Sequence, residues 1–154
     1  MLLVAGFGWG KPVPVNPRNL RYGRFGMALV SAAGPLSNLG VAFLTALAIR
    51  GLVASGVAVP SYVDRFLVLL MLLNVSLCVF NLLPVAPLDG FGVAVGVLPW
   101  SIAGPMARLG QYGPGILMLL LFSAYVVHVD LLQLILGPPT RALLIPLIRI
   151  AGVA

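Results

Sequence analysis

The chain has 154 residues, of which 61% are hydrophobic and only 8% charged, with a formal net charge of +6. Water-soluble domains carry about 45–50% apolar and about 25% charged residues, so this chain cannot cover an aqueous surface and needs the bilayer as its solvent. Its nine basic residues are too few for a nucleic-acid surface, and four of them cluster just before an apolar run, so membrane lipid and not nucleic acid is the expected partner. The lone cysteine, Cys78, forms no internal disulfide.

Residues 1–26 open with Gly6-Phe7-Gly8-Trp9-Gly10 and continue through Lys11-Pro12-Val13-Pro14-Val15-Asn16-Pro17. So much glycine and proline predicts extended or turning backbone near the membrane surface, with Trp9 as an interfacial anchor. The G-x-G-x-G run lacks a strand–turn–helix setting and is no dinucleotide fingerprint. Lys11, Arg18, Arg21 and Arg24 make a basic juxtamembrane loop, which puts this end on the cytoplasmic side; Arg50 and Arg65 run against that orientation.

The first span is expected at residues 27–49, long enough at about 1.5 Å per residue to cross the hydrocarbon layer. Ser31, Gly34, Asn38 and Thr45 fall on one stripe of it, a small and polar face suited to close helix packing. The second span is expected at residues 66–83, with Asn74, Cys78 and Asn81 on one face. Two such faces on consecutive spans read either as helix–helix glue or as the wall of a hydrated cavity. The prolines of Leu83-Pro84-Val85-Ala86-Pro87-Leu88-Asp89-Gly90 then break the helix, and irregular backbone at that depth needs protein or water to satisfy it. Residues 91–98 are too short to span, and read as re-entrant or interfacial. A third span is expected at residues 114–136, containing His128, Asp130 and Gln133, and the proline-broken tail from Gly137 onward as an interfacial segment. The expected fold is one all-α polytopic membrane domain over residues 1–154, with about three transmembrane helices, an extended re-entrant N-terminal segment and an interfacial tail.

The acids are Asp64, Asp89 and Asp130, and the chain has no glutamate. Asp64 beside Arg65 reads as a solvated loop charge and Asp130 as an interfacial or packing group. Asp89 follows a helix break, close behind a polar helix face, and an ionisable group in that setting is a functional candidate. His128, the only histidine, reads as a hydrogen-bonded group rather than a ligand.

Three stretches, in this order, resemble the site-2 protease family of intramembrane zinc metalloproteases. They are Gly6-Phe7-Gly8-Trp9-Gly10-Lys11-Pro12-Val13-Pro14-Val15-Asn16-Pro17, Ala33-Gly34-Pro35-Leu36-Ser37-Asn38, and Asn81-Leu82-Leu83-Pro84-Val85-Ala86-Pro87-Leu88-Asp89-Gly90. The resemblance covers about residues 1–136. It implies that Asp89 is the third protein ligand of a catalytic zinc. It also implies that Gly34, Asn38, Asn81, Pro84 and Gly90 line the active site, and that the segment with Trp9, Lys11, Val13 and Val15 pairs with an unwound transmembrane protein substrate. The family's other two ligands are the histidines of an H-E-x-x-H motif, whose glutamate is the general base. That motif is missing, so the chain holds no catalytic residues of its own and is expected to be inactive alone. The opening Leu2-Leu3-Val4-Ala5 looks like the tail of an upstream apolar helix. An N-terminally incomplete chain is therefore expected, needing a missing helix pair or a partner subunit. The implied setting is a bacterial plasma membrane, with the site near the cytoplasmic side. The alternatives are a non-catalytic regulatory membrane protein derived from the family, and a small transporter or channel subunit.

Overall fold

The computed structural model describes residues 22–126 and 128–152. Every element among them is helical: α1 (Gly23–Ser55), α2 (Ser61–Asn81), α3 (Asp89–Val97), α4 (Trp100–Leu109), a 3-10 turn (Gly110–Tyr112), α5 (Gly113–Val126) and α6 (Leu131–Ala151). Three of these, α1, α2 and α6, are long and apolar enough to cross a membrane. Large apolar side chains such as Phe43, Leu44, Leu69, Leu73, Leu119 and Phe122 face outward, as a lipid-facing surface requires. The extended N-terminal segment expected from the sequence lies outside the described residues.

The expected first span lies inside α1. With 33 residues, α1 is about 50 Å long and outruns the hydrocarbon layer. It continues through Pro35, which is fully buried, and stops at Gly56, whose φ of 64° is the left-handed turn that glycine adopts without a Cβ penalty. Helix α2 begins after Pro60 and has Asp64 in its first turn, where a negative charge complements the helix dipole. The expectation of a loop at Asp64 is corrected accordingly.

The third span differs from its expected position. Residues 114–136 are not one helix: α5 ends at Val126, His128 has φ 54°, and α6 starts at Leu131. The break is built from side chains. Asp130 accepts a hydrogen bond from the Gln133 amide (2.8 Å), capping α6, and the buried Ser123 hydroxyl accepts one from the Leu131 amide (3.1 Å). Hydropathy alone cannot reveal such a break, because the chain stays apolar across it. The tail expected at the interface instead forms most of α6. Pro138, Pro139 and Pro146 lie within this helix. Each removes one amide donor without ending it.

The core joins three helices. Ala42, Ala46 and Ile49 of α1 pack with Met71 and Val75 of α2 and with Leu147 and Ala151 of α6. Alanine recurs because helices in lipid gain nothing from hiding apolar groups from water; close backbone approach supplies the contact. On the polar faces, Ser31 and Gly34 meet the neighbouring helix, while Thr45 and Asn74 turn to their own backbone, as does Ser37 beside them. Ser37, Thr45 and Asn74 each donate to the carbonyl four residues back in their own helix, at 2.7, 2.8 and 2.8 Å.

Helix α2 lies along the C-terminal part of α1, where Ile49 and Val53 share a groove with Ser61 and Leu67. Helix α3 lies along the N-terminal part: Asp89 meets Gly34, Gly92 meets Ser31, and Gly96 meets Ala28 and the Arg24 carbonyl. Both therefore run antiparallel to α1, and α2, the turn and α3 form one broken helix alongside it.

Candidate functional site

The break carries the site. Residues 82–88 turn sharply, with a cis peptide bond between Ala86 and Pro87. Local hydrogen bonds satisfy the turn: Leu83 amide to Phe80 carbonyl (3.1 Å), Val85 to Leu83 (2.8 Å), Leu88 to Val85 (2.9 Å) and Phe91 to Leu88 (3.1 Å). Most amides of this irregular backbone thus find a local acceptor, as an apolar setting requires. Gly90 is buried so tightly that a Cβ there would run into the backbone carbonyls of Leu82 and Leu83. Only glycine lets α3 start this close beneath the end of α2.

Asp89 is the first residue of α3, where a carboxylate is favoured by the helix dipole. Its side chain turns onto α1: a Cβ built on Gly34 would stand 2.8 Å from Asp89 Oδ2. The absent side chain at Gly34 therefore makes room for the carboxylate. Asp89 is half-buried and Gly34 exposed, so the carboxylate has protein on one side and open space on the other. Asn38 lies one turn beyond Gly34 on α1, and Asn81 is the last residue of α2; both are half-buried. Pro84 lies in the turn. Trp9, Lys11, Val13 and Val15 lie outside the described residues.

Sequence reasoning missed what holds α3 on α1. Gly92 and Gly96 form a G-x-x-x-G pair, and both face α1. A Cβ on Gly92 would strike the Ser31 hydroxyl, and one on Gly96 would come within 2.5 Å of Ala28 Cβ and 2.7 Å of the Arg24 carbonyl oxygen. The signal was present between residues 91 and 98, a stretch read as too short to span and as re-entrant or interfacial. Arg24, assigned by sequence to a basic loop, lies in the first turn of α1. Its Nη2 donates to the Val95 carbonyl (3.0 Å) and the Leu98 carbonyl (2.6 Å).

A catalytic zinc takes about three protein ligands plus an open position. The chain's residues of ligand type are three aspartates, one histidine and one cysteine. Among the described residues no three of them come together. Asp64 lies in the first turn of α2, Asp130 caps α6, His128 lies in the α5–α6 link and Cys78 is buried in α2. These residues do not complete a zinc site, and Asp89 offers one carboxylate toward one.

Fold and site define a helical membrane protein in which a broken helix sets one carboxylate against a glycine of the neighbouring span. The chain is similar to a Bacillus subtilis (strain 168) protein named "Putative zinc metalloprotease YwhC", with 39% identity over 117 residues, 73% of this chain and 53% of that protein. The chain thus spans about half the length of the curated relative it matches. No family model matches it, and no solved structure matches it.

Proposed function

We propose that this chain is part of a membrane zinc metallopeptidase of the site-2 protease type, which hydrolyses peptide bonds of membrane-embedded proteins. The 39% identity to a protein named as a zinc metalloprotease carries this reading. Its local support is the Asp89 carboxylate, held at a helix start against Gly34 with one side open. In this reading Asp89 is one zinc ligand, and the remaining ligands and the general base come from residues outside this sequence. Gly34, Asn38, Asn81, Pro84 and Gly90 shape the site. The segment with Trp9, Lys11, Val13 and Val15 pairs in extended form with the unwound substrate, because backbone pairing stabilises a peptide that has lost its helix. The site lies toward the cytoplasmic face of a bacterial plasma membrane.

The test uses the native protein, purified from its own cells with its mass determined. The expected result is a chain longer than 154 residues that carries about one zinc per molecule, measured by elemental analysis. Asp89→Ala in that protein should lose most of the zinc, since removing one of about three ligands leaves an incomplete site. Full zinc occupancy in Asp89→Ala would remove Asp89 from the ligand set. A native chain of 16.1 kDa without zinc would favour a non-catalytic relative, the reading supported by the incomplete donor set.

A further inference from the structure

We propose that Arg24 is a positioning residue: by clamping the C-terminal end of α3 it sets the register of α3 on α1, and with it the place of the Asp89 carboxylate at Gly34. Its functional meaning rests on the reading of Asp89 given above; the clamp itself does not.

The observations converge on one short helix. Helix α3 has nine residues, fewer than an isolated helix needs to persist. Its stability must come from what it touches, and what it touches is mainly α1. Along that contact small residues recur: Gly34 faces Asp89, Ser31 faces Gly92 and Ala28 faces Gly96. Small surfaces permit close approach but hold register weakly.

At its C-terminal end α3 presents carbonyls with no intrahelical donor, and the dipole gives that end a partial negative charge. Among α3's carbonyls and the one after it, Arg24 engages two with a single nitrogen, those of Val95 and Leu98. The same guanidinium lies over the Trp100 ring, 4.9 Å from its centroid. Trp100 is the first residue of α4, so one side chain of α1 holds both the end of α3 and the start of the next helix. Hydrogen bonds from a charged donor are about twice as strong as neutral ones, and the cation–π contact adds to them. Arg24 and Gly34 are ten residues apart on α1, about 15 Å along its axis. They grip opposite ends of α3, and loosening either end lets the other move.

The experiment is amide hydrogen exchange, read by mass spectrometry, on the full 154-residue chain in lipid nanodiscs. Three forms are compared: the unaltered chain, Arg24→Met, and Arg24→Lys, which keeps a cationic donor. Arg24→Met should speed exchange of the α3 amides, residues 93–98, by about tenfold or more. Arg24→Lys should recover most of that protection. The core segments 42–49, 71–79 and 147–151 should stay within about twofold in both. Unchanged exchange over 93–98 in Arg24→Met would overturn the proposal. So would an equal loss in all core segments, which would make Arg24 a general fold residue. Should Arg24→Met not fold, Trp100→Leu removes only the stacking half of the clamp. It should raise exchange over 93–98 by a smaller factor, about threefold, and no rise would again overturn the proposal. The readout contains no metal, so loss of the zinc reading leaves it standing, and its own failure leaves the zinc reading untouched.

Discussion

Replacing Gly96 by alanine puts a methyl group 2.5 Å from Ala28 Cβ, 2.7 Å from the Arg24 carbonyl oxygen and 3.1 Å from the Ala28 amide nitrogen. Non-bonded carbons pack best at about 3.5–4.0 Å, so the end of α3 must retreat from α1 by about 1 Å. Two of the three obstacles are backbone atoms and the third is a Cβ, so no rotamer change relieves the contact. Overpacking of this kind costs about 1–3 kcal/mol. Alanine returns about 0.5–1 kcal/mol through its better helix propensity. The net loss is about 0–2.5 kcal/mol, with a midpoint of about 1.3 kcal/mol that corresponds to a factor of about 8 in the population of the docked helix. The Arg24 hydrogen bonds to Val95 and Leu98 lengthen with the same movement. The control is Gly40→Ala in α1, where no described residue lies within 4 Å of the new methyl group; it should be neutral or stabilising by up to about 1 kcal/mol. Exchange of the α3 amides in nanodiscs measures both. If Gly96→Ala protects α3 as well as Gly40→Ala does, the G-x-x-x-G contact is not what holds α3, and the argument for its placement fails.

Two further outcomes concern the α5–α6 junction. Ser123→Ala removes one of the two acceptors of the Leu131 amide and leaves the Val129 carbonyl (2.9 Å), so it should cost no more than about 1 kcal/mol and appear as modestly faster exchange at Leu131. Asp130→Ala removes an exposed cap from the Gln133 amide. It should cost about 1 kcal/mol, fraying the first turn of α6 while leaving α1 and α2 unchanged in the same measurement.

The candidate site was partly legible because its local chemistry is written in short stretches. Prolines at 84 and 87, followed by Asp89 and Gly90, announce a broken helix with a carboxylate beyond it. What this stretch does not contain is the partner surface. That Asp89 turns onto Gly34, 55 positions earlier in the chain, depends on α3 running antiparallel along α1. Gly92 and Gly96 carried a readable packing signal, but their partners Ser31, Ala28 and Arg24 could be named only once that direction was known. Two residues of the polar faces, Thr45 on α1 and Asn74 on α2, make no bridge among the described residues. Each is satisfied by its own helix, because the carbonyl four residues back is within reach.

Composition alone determined that this chain lives in lipid, since 8% charged residues cannot solvate a surface. Long apolar runs determined two of the three helices of spanning length, and the proline-flanked break was visible as well. The start of α6 required tertiary structure, because Ser123 and Asp130 make it through hydrogen bonds that leave no mark on hydropathy. So did the clamp of Arg24 on α3 and the meeting of Asp89 with Gly34. Hydropathy and turn chemistry act over a few neighbouring residues. Close approach between helices depends on small residues that meet from distant parts of the chain, and such meetings are set only when the chain is folded.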